Sequence, residues 1–415
     1  MVKNIVRNKI YPLLAYTGLE ADYLVFNGGW IFIRQILTSL STLAIVFFFT
    51  RFGSKEDFGA YNLILSISAL ASVFSLPGVA TAVIQSVASG FDRSYFVGLR
   101  LRFFFSITGS FFLMTLAYYY FLKQAEALSV SIFLVALVFP FLNTFGTYDS
   151  LLSGKKLFRN QSISSVSISG IVSLGTIVAI FLKLNVIFII FTYFFLTTVL
   201  NIFFHSFFTK YLSKDSQTDS KFKEYSYFMS FISGLSLVAA NLDKILLGSL
   251  SGFSSLAIYS TALLIPDGIT RNLKAFMGIY TVKLAGKSSL ENKKVLAYYY
   301  LRLILIGFIL SFALWFTLPF LIPFLFSAKY VEAVGFARLI SITLILSPIV
   351  TALSSAVVFE KRYKDTLLFN IFPQGIKILL YFILIPSFGI LGIVFSLMFE
   401  RLISVSLLTY IVFKK

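Results

Sequence analysis

Long apolar stretches, each about 20 residues and separated by short charged segments, run through this chain of 415 residues. A helix needs about 20 apolar residues to cross a hydrocarbon core roughly 30 Å thick, because each residue advances it by about 1.5 Å. Charged residues make up only 13% of the chain, against roughly 25% in a soluble domain. The pattern predicts an all-α integral membrane protein that crosses the bilayer many times.

Twelve apolar runs predict about twelve membrane-spanning helices. Their ranges are 29–50, 58–77, 101–122, 129–152, 162–182, 185–207, 227–249, 254–280, 298–326, 333–357, 366–385 and 389–411. The most polar segment, residues 209–226, lies near the midpoint and predicts a flexible linker between two lobes of six helices. The predicted lobes are residues 29–208 and 227–415, preceded by an interfacial segment at residues 1–28.

Basic residues of the predicted loops are concentrated on one side of the membrane. Two loops on that side contain Arg93, Arg100, Arg102, Lys155, Lys156 and Arg159. Cytoplasmic loops carry the excess of Lys and Arg in membrane proteins, so both termini and the linker are predicted to be cytoplasmic. The same distribution accounts for the net charge of +18, and no nucleic-acid partner is inferred from it.

Residues that enzymes often depend on are scarce in this chain. It has no Cys and one His, His205, so disulfides and thiol catalysis are excluded. No Gly-x-x-x-x-Gly-Lys-[Ser/Thr] phosphate loop occurs, and the sequence therefore shows no ATP-driven motor. We predict a protein that is not an enzyme and that has neither a metal site nor an organic cofactor.

Several charged residues interrupt the apolar runs, at a cost of roughly 2.5–3.5 kcal/mol each near the bilayer centre. Such residues normally face the bundle interior or a wet cavity. The basic members of the set are predicted to bind an anionic substrate, and they are Arg34, Lys244, Arg271, Lys274, Lys377 and Arg401. The acidic members, Asp243, Asp267 and Glu400, are predicted counter-ions or carriers of a coupling cation, H⁺ or Na⁺.

A purely structural role remains open for part of this set. Asp267 and Arg271 are four residues apart on one helix face, so they can form a pair that only fixes packing. Asp243 and Lys244 could serve in the same way as a device for folding and register. Arg302 and Arg338 lie near predicted helix ends and are expected to extend to the membrane surface.

Four segments carry a family likeness. They are RFGSKEDFGAYNLILSI from Arg51, NLDKILLGSLSGFSSLAIYSTA from Asn241, LPFLIPFLFSAKYVEA from Leu318 and FGILGIVFSLMFERLI from Phe388. Through them the chain resembles the polysaccharide-unit flippases of the Wzx type. That superfamily also contains the multidrug and toxin extruders and the lipid II flippases. Ser327 departs from the family pattern, which usually has Gly after the Pro-rich segment.

The resemblance implies a fold and an activity. The fold would be two six-helix lobes around a central cavity that opens to alternate sides of a bacterial inner membrane. The activity would be export of undecaprenyl-pyrophosphate-linked oligosaccharide, a repeat unit of O-antigen or capsule, from the cytoplasmic to the periplasmic leaflet. A polysaccharide polymerase and a chain-length regulator are the protein partners that it implies, besides the lipid bilayer.

Two other functions are compatible with the topology. A cation-coupled multidrug antiporter of the same superfamily should have a net acidic cavity, whereas the charges within these spans are mostly basic. An integral-membrane polymerase or glycosyltransferase should have acidic or Arg-rich catalytic loops, often a long external one. The predicted external loops are short and carry few charges, which favours the flippase.

Labelling of single Cys residues tests the predicted topology, and the chain has no native Cys to interfere. Ser216→Cys should react with a membrane-impermeant maleimide only from the cytoplasmic side, because the linker is predicted to be cytoplasmic. Ser254→Cys should react from the periplasmic side. Periplasmic reaction of Ser216→Cys would overturn both the orientation and the helix count.

Overall fold

The computed structural model describes residues 21–213, 217–281, 289–360 and 362–414, and these residues are almost entirely helical. The helices of the first half are α1 (Ala21–Phe52), α2 (Lys55–Ala71), α3 (Val79–Ala88), α4 (Ser94–Leu122), α5 (Glu126–Phe145), α6 (Tyr148–Gly154), α7 (Phe158–Phe181) and α8 (Val186–Phe208). Those of the second half are α9 (Phe222–Leu250), α10 (Gly252–Thr281), α11 (Ser289–Phe326), α12 (Ala333–Ile342), α13 (Ser347–Phe359), α14 (Tyr363–Phe388) and α15 (Ile390–Lys414).

Each of the twelve predicted runs corresponds to a helix or to a short series of helices, so the predicted all-α membrane fold is confirmed. Among the described residues, ten helices are long and apolar enough to cross a membrane. The pair Ala333–Ile345 and Ser347–Val358, bent by 41°, would make an eleventh. Helix α10 is 30 residues long but stays outside this group, and it carries the charged residues of the 254–280 run.

The predicted start of the third run is wrong in a way that matters for charge. Helix α4 begins at Ser94 rather than at residue 101, so Arg100 and Arg102 lie in the helix and not in a loop. Arg102 is partly buried and donates from Nη1 to Thr147 Oγ1 at 3.0 Å. With 29 residues, α4 is longer than the hydrocarbon core requires. Its first turns are polar, so a prediction based on apolar runs placed the helix start too late.

The two lobes meet along α2 and α3 at glycines that leave no room for a side chain. A Cβ added at Gly59 would lie 2.0 Å from the carbonyl oxygen of Phe253, at the start of α10. One added at Gly78 would lie 2.1 Å from the backbone nitrogen of Ser230 in α9. The Gly78 N–H also donates to Ser230 Oγ at 3.0 Å. Backbone of the first lobe therefore touches backbone of the second at both ends of this seam.

A second contact joins the lobes at the end of the molecule that the charge distribution predicts to be periplasmic. Arg51 Nη2 donates to the Phe324 carbonyl at 2.6 Å, near the end of α11, where carbonyl groups lack intrahelical partners. The Lys55 ammonium lies 5.8 Å from the centroid of the buried Tyr330 ring. Phe58 meets the same ring edge-on, with centroids 6.3 Å apart. These contacts hold this end of the seam closed.

The linker is anchored to the first lobe wherever the structure describes it; residues 214–216 lie outside the described part. Buried Asp92 accepts from Lys155 Nζ at 2.5 Å and from the Ser213 backbone N–H at 2.8 Å. Asp219 accepts from Ser86 Oγ at 2.9 Å. Helix α9 already begins at Phe222, so the linker expected to be flexible has little free length. Residues 1–20 of the predicted interfacial segment also lie outside the described residues.

Ser327 provides a test of backbone strain, because it has φ +73° and ψ 153° immediately after α11. A residue other than Gly in this region costs about 1–3 kcal/mol. Ser327→Gly should stabilise the fold by about 1 kcal/mol and raise the Tm measured in detergent. Ser236→Gly, in the exposed face of α9, is the control and should lower the Tm. A lower Tm for Ser327→Gly would contradict the strain.

Candidate functional site

Charged side chains are buried together in the second lobe, where α9, α10, α14 and α15 pack on one another. Asp243 of α9 is 4% exposed, Lys377 of α14 is 8% exposed and Glu400 of α15 is 6% exposed. An isolated ionised group in so dry a place costs several kcal/mol unless opposite charges and hydrogen bonds surround it. The partners of these three groups therefore determine what the site can do.

Asp243 is bound by its neighbour on the next helix. Tyr259, which is fully buried, donates its hydroxyl hydrogen to Asp243 Oδ2 at 2.6 Å. The other carboxylate oxygen, Oδ1, is buried and has no hydrogen-bond partner among the described residues. Half of this carboxylate is therefore available for a further cationic or donor group.

Glu400 has two partners on its own helix. Ser404 Oγ donates to Glu400 Oε1 at 3.0 Å, and Arg401 Nε lies 3.6 Å from Oε2. The charges of both Glu400 and Asp243 act on the Lys377 ammonium, although Lys377 makes no direct ion pair within the described part of the chain. The residues of α9, α14 and α15 thus form one electrostatic unit, in which two carboxylates balance two cations.

Helix α10 adds a more accessible charged stripe next to this unit. Arg271 Nη1 lies 3.4 Å from Asp267 Oδ2, and both side chains are about half exposed. Lys274, one turn further on, is exposed and lies within electrostatic range of Glu400, Arg401 and Asp267. The predicted site residues of α10, α14 and α15 therefore lie in one region, together with Asp243. Lys244 is partly buried, and no ion pair to it occurs among the residues described.

Arg34 lies apart from this region, in the first lobe. Its Nη1 is 3.6 Å from Asp149 Oδ1 of α6. The same carboxylate accepts from Gln161 Nε2 at 2.9 Å. Arg34 therefore already has an acidic partner, and its predicted role in substrate binding stays a prediction. Asp149, in the first turn of α6, is the counter-ion of Arg34.

Tyr259 and Gln161 are polar partners that the sequence analysis missed. A signal for Tyr259 was present, because Asp243 and Tyr259 are equidistant from Ser251, at the turn between α9 and α10. Two antiparallel helices joined by a tight turn place such residues at the same depth. No comparable pattern in the sequence indicated a polar contact for Gln161, because a Gln near a helix start is commonly solvated.

A groove of about 240 Å³ lies between α1 and α10. Only these two helices, one from each lobe, contribute lining residues. Most of the lining is aliphatic, from Ile36, Leu40, Leu43, Leu264, Ile265 and Ile269. Arg271 and Asn272 add a cation and an amide, and Asn272 Oδ1 is buried without a partner among the described residues. Unlike the seam along α2, this boundary between the lobes is loosely filled.

Arg302 and Arg338 behave as residues at a membrane surface would. Arg302 is exposed, donates to the Tyr298 hydroxyl at 2.8 Å and lies 4.3 Å from the centroid of that ring. Arg338 is partly buried and donates from Nε to the Trp315 carbonyl at 2.9 Å. Their contacts agree with the expectation that both side chains extend along the protein surface rather than into the site.

The bond between Tyr259 and Asp243 can be tested by removing one hydroxyl group. Tyr259→Phe leaves a buried carboxylate without the one hydrogen-bond donor that it has among the described residues, so we expect a loss of about 1–3 kcal/mol in the free energy of unfolding. The measurement is Tm in detergent. Tyr410→Phe is the control, since Tyr410 is exposed and its hydroxyl meets only Lys414. Equal effects of the two substitutions would contradict a structural role for this bond.

Comparison with known proteins now places the chain. Its fold resembles that of a multidrug resistance MATE family transporter of the MOP superfamily in its outward-facing conformation, with a TM-score of 0.66, 16% identity and coverage of 96% of this chain and 97% of the other. A MATE protein in its bent conformation gives a TM-score of 0.63, 15% identity and 96% coverage of both chains.

A MOP superfamily transporter from Pyrococcus furiosus, for which the reverse polarity of its binding pocket suggests a different function, gives a TM-score of 0.61 at 16% identity, covering 94% of this chain and 95% of the other. No curated protein matches the chain in sequence. The sequence profile described as "Polysaccharide biosynthesis protein" matches residues 24–265, more than half of the chain. The protein therefore belongs to the polysaccharide biosynthesis protein family, and its fold is that of the MATE transporters of the MOP superfamily.

Proposed function

We propose that this protein is a flippase. It moves undecaprenyl-pyrophosphate-linked oligosaccharide from the cytoplasmic to the periplasmic leaflet of a bacterial inner membrane, by alternating access and without ATP hydrolysis. The observation that carries the proposal is the groove between α1 and α10, which combines an aliphatic lining with the half-exposed Arg271. Membership of the polysaccharide biosynthesis family supports the same substrate class.

The groove suits both parts of a lipid-linked substrate. Its Leu and Ile side chains can pack against an isoprenoid chain, and its position at the boundary between the lobes gives a path from the lipid. A guanidinium group can donate two parallel hydrogen bonds to a phosphate, and an ammonium adds a point charge. Arg271 and the neighbouring Lys274 provide these two groups on one face of α10.

Entry from the cytoplasmic side is part of the proposed function. The end with Arg51, Phe324 and Tyr330 is closed, and the charge distribution predicts that it is periplasmic. The groove involves residues 36–43 of α1, which lie near the middle of that helix (Ala21–Phe52) and hence about half-way across the membrane. A substrate would reach this depth from the cytoplasmic leaflet, and rearrangement of the periplasmic contacts would then release it on the other side.

A cation-coupled multidrug antiporter is the second candidate, and one observation favours it. The buried and half-partnered carboxylate of Asp243 could bind a coupling cation or a cationic substrate. Against this, Asp267 is paired with Arg271 and Glu400 with Arg401, while Lys377 and Lys274 add further positive charge around the cluster. The electrostatic balance therefore favours an anionic substrate.

A reconstituted assay in proteoliposomes separates the two candidates. A fluorescent undecaprenyl-pyrophosphate oligosaccharide should be translocated, and a cationic dye should not. Arg271→Ala should reduce the flipping rate at least tenfold, because it removes a contact to the phosphate. One charge-assisted hydrogen bond of this kind is worth about 1.5–3 kcal/mol. Arg302→Ala, which removes an exposed surface Arg, is the matched control and should keep the normal rate.

A steric test addresses the groove itself. Gly268 lines it, and a Cβ at this position meets no atom within 4 Å, so Gly268→Phe should fill the groove and block flipping without lowering the Tm. Gly170→Phe, in α7, is the control, because that glycine also faces open space but lies outside the groove. Dye efflux without lipid flipping, or normal flipping by Gly268→Phe, would overturn the proposed function.

A further inference from the structure

A second groove, of about 160 Å³, lies between α1 and α7 of the first lobe. Its aliphatic lining comes from Ile33 and Leu37 of α1 and from Ile163 and Val166 of α7. Ile33, Leu37 and Ile163 are between 40% and 48% exposed, in helices that are long and apolar enough to cross a membrane. An exposed apolar surface on such helices meets lipid. The groove therefore opens toward acyl chains, and it shares no lining residue with the groove between α1 and α10.

Two hydrogen bonds join α1 and α7 along this groove. Ser162 Oγ donates to the Trp30 carbonyl at 2.9 Å, and Ser173 Oγ donates to the Ser41 carbonyl at 3.1 Å. The partners are 132 residues apart in both bonds, so the two helices run in the same direction and keep one register. The groove is thus part of the packing within the first lobe, and it is not a gap between the lobes.

The mouth of the groove lies at the membrane boundary. Trp30 lines it, and the apolar span of α1 begins at Gly28. Trp is enriched at this depth because its ring is apolar and its N–H is polar. From Trp30 the lining continues to Leu37, about 10 Å deeper along α1 at 1.5 Å per residue. The groove therefore extends from the headgroup level into the hydrocarbon.

A cation stands at this mouth. Arg159, in the first turn of α7, is exposed, and its guanidinium carbon lies 5.7 Å from the centroid of the Trp30 ring. None of the ion pairs among the described residues involves Arg159. Lys156, just before α7, is also exposed, whereas Lys155 is already paired with Asp92. An apolar groove with positive charge at its polar end is complementary to a molecule that has a hydrocarbon chain and an anionic headgroup.

We propose that this groove binds one acyl chain of an anionic phospholipid, whose headgroup phosphate lies beside Arg159. A guanidinium group can donate two parallel hydrogen bonds to phosphate oxygens. The first turn of α7 adds the positive end of the helix dipole. The bound phospholipid is a structural component of the first lobe and not a transported molecule. The proposal concerns this site alone and does not rest on the proposed flippase activity.

Fluorescence of Trp30 provides the test. Trp30 and Trp315 are the two Trp residues of the chain, so Trp315→Phe leaves Trp30 as the single emitter. This protein is reconstituted in phosphatidylcholine with increasing fractions of a lipid whose acyl chains are brominated, because bromine quenches Trp emission at contact. Brominated phosphatidylglycerol should quench Trp30 with an apparent affinity about fivefold higher than that of brominated phosphatidylcholine, the factor that one basic residue contributes beside anionic lipid.

Three variants in the Trp315→Phe background separate the headgroup contact from the groove. Arg159→Gln removes the charge, and both brominated lipids should then quench equally. Arg100→Gln is the matched control, because Arg100 is also exposed on the predicted cytoplasmic side but does not line the groove, and it should keep the preference. Ser167→Phe places a ring in the groove and should lower quenching by phosphatidylglycerol to the level of phosphatidylcholine.

Four results would refute the phospholipid site. They are equal quenching by the two lipids before any further substitution, a preference that survives Arg159→Gln, a preference that survives Ser167→Phe, and loss of the preference in Arg100→Gln. Unbrominated undecaprenyl pyrophosphate supplies one more arm: if an amount equimolar with the protein restores Trp30 emission, the groove belongs to a polyprenyl lipid instead. Quenching is measured without transport, so a failure of the flippase proposal would leave these outcomes unaffected.

Discussion

The absence of water in the interior of a membrane protein is the constraint on which this structure depends. Where no water can solvate them, backbone groups must bond within helices, and charged side chains must find opposite charges. In the second lobe, Asp243, Lys377 and Glu400 come from three different helices and meet in one buried unit. Each helix must keep its depth and rotation for these charges to remain compensated, so the electrostatic unit fixes the packing of the lobe.

The boundary between the lobes is built in two ways. Along α2 and α3, Gly59 and Gly78 let backbones touch, which gives close van der Waals contact in a setting where the hydrophobic effect contributes little between helices. Between α1 and α10, aliphatic side chains surround a groove, and Gly268 leaves part of it open. The lobes are thus tightly packed along α2 and α3 and loosely packed between α1 and α10. Such packing would allow one lobe to rotate against the other, which is the motion that alternating access requires.

The charged residues of the second lobe fall into two groups, one buried and one accessible. The deeply buried unit is nearly neutral, with Arg401 beside Glu400 and a buried Lys377 within electrostatic range of Glu400 and Asp243, whereas the accessible cations lie on α10. An anionic headgroup at the groove would thus meet Arg271 and Lys274 before the buried residues. The polysaccharide biosynthesis family and the MATE-like fold are both compatible with this division between a site at the lobe boundary and a charged interior.

The length and spacing of apolar runs determined the membrane class, the helix positions and the two-lobe order, because a bilayer of nearly constant thickness demands helices of nearly constant apolar length. Helical periodicity also placed Asp267, Arg271 and Lys274 on one face. Sequence could not show that Tyr259 binds Asp243, that Asp149 is the partner of Arg34, or that Lys377 is buried within electrostatic range of two carboxylates. Periodicity defines which face a side chain occupies, but which neighbour covers that face depends on how helices distant in the chain pack, and only the tertiary structure decides that.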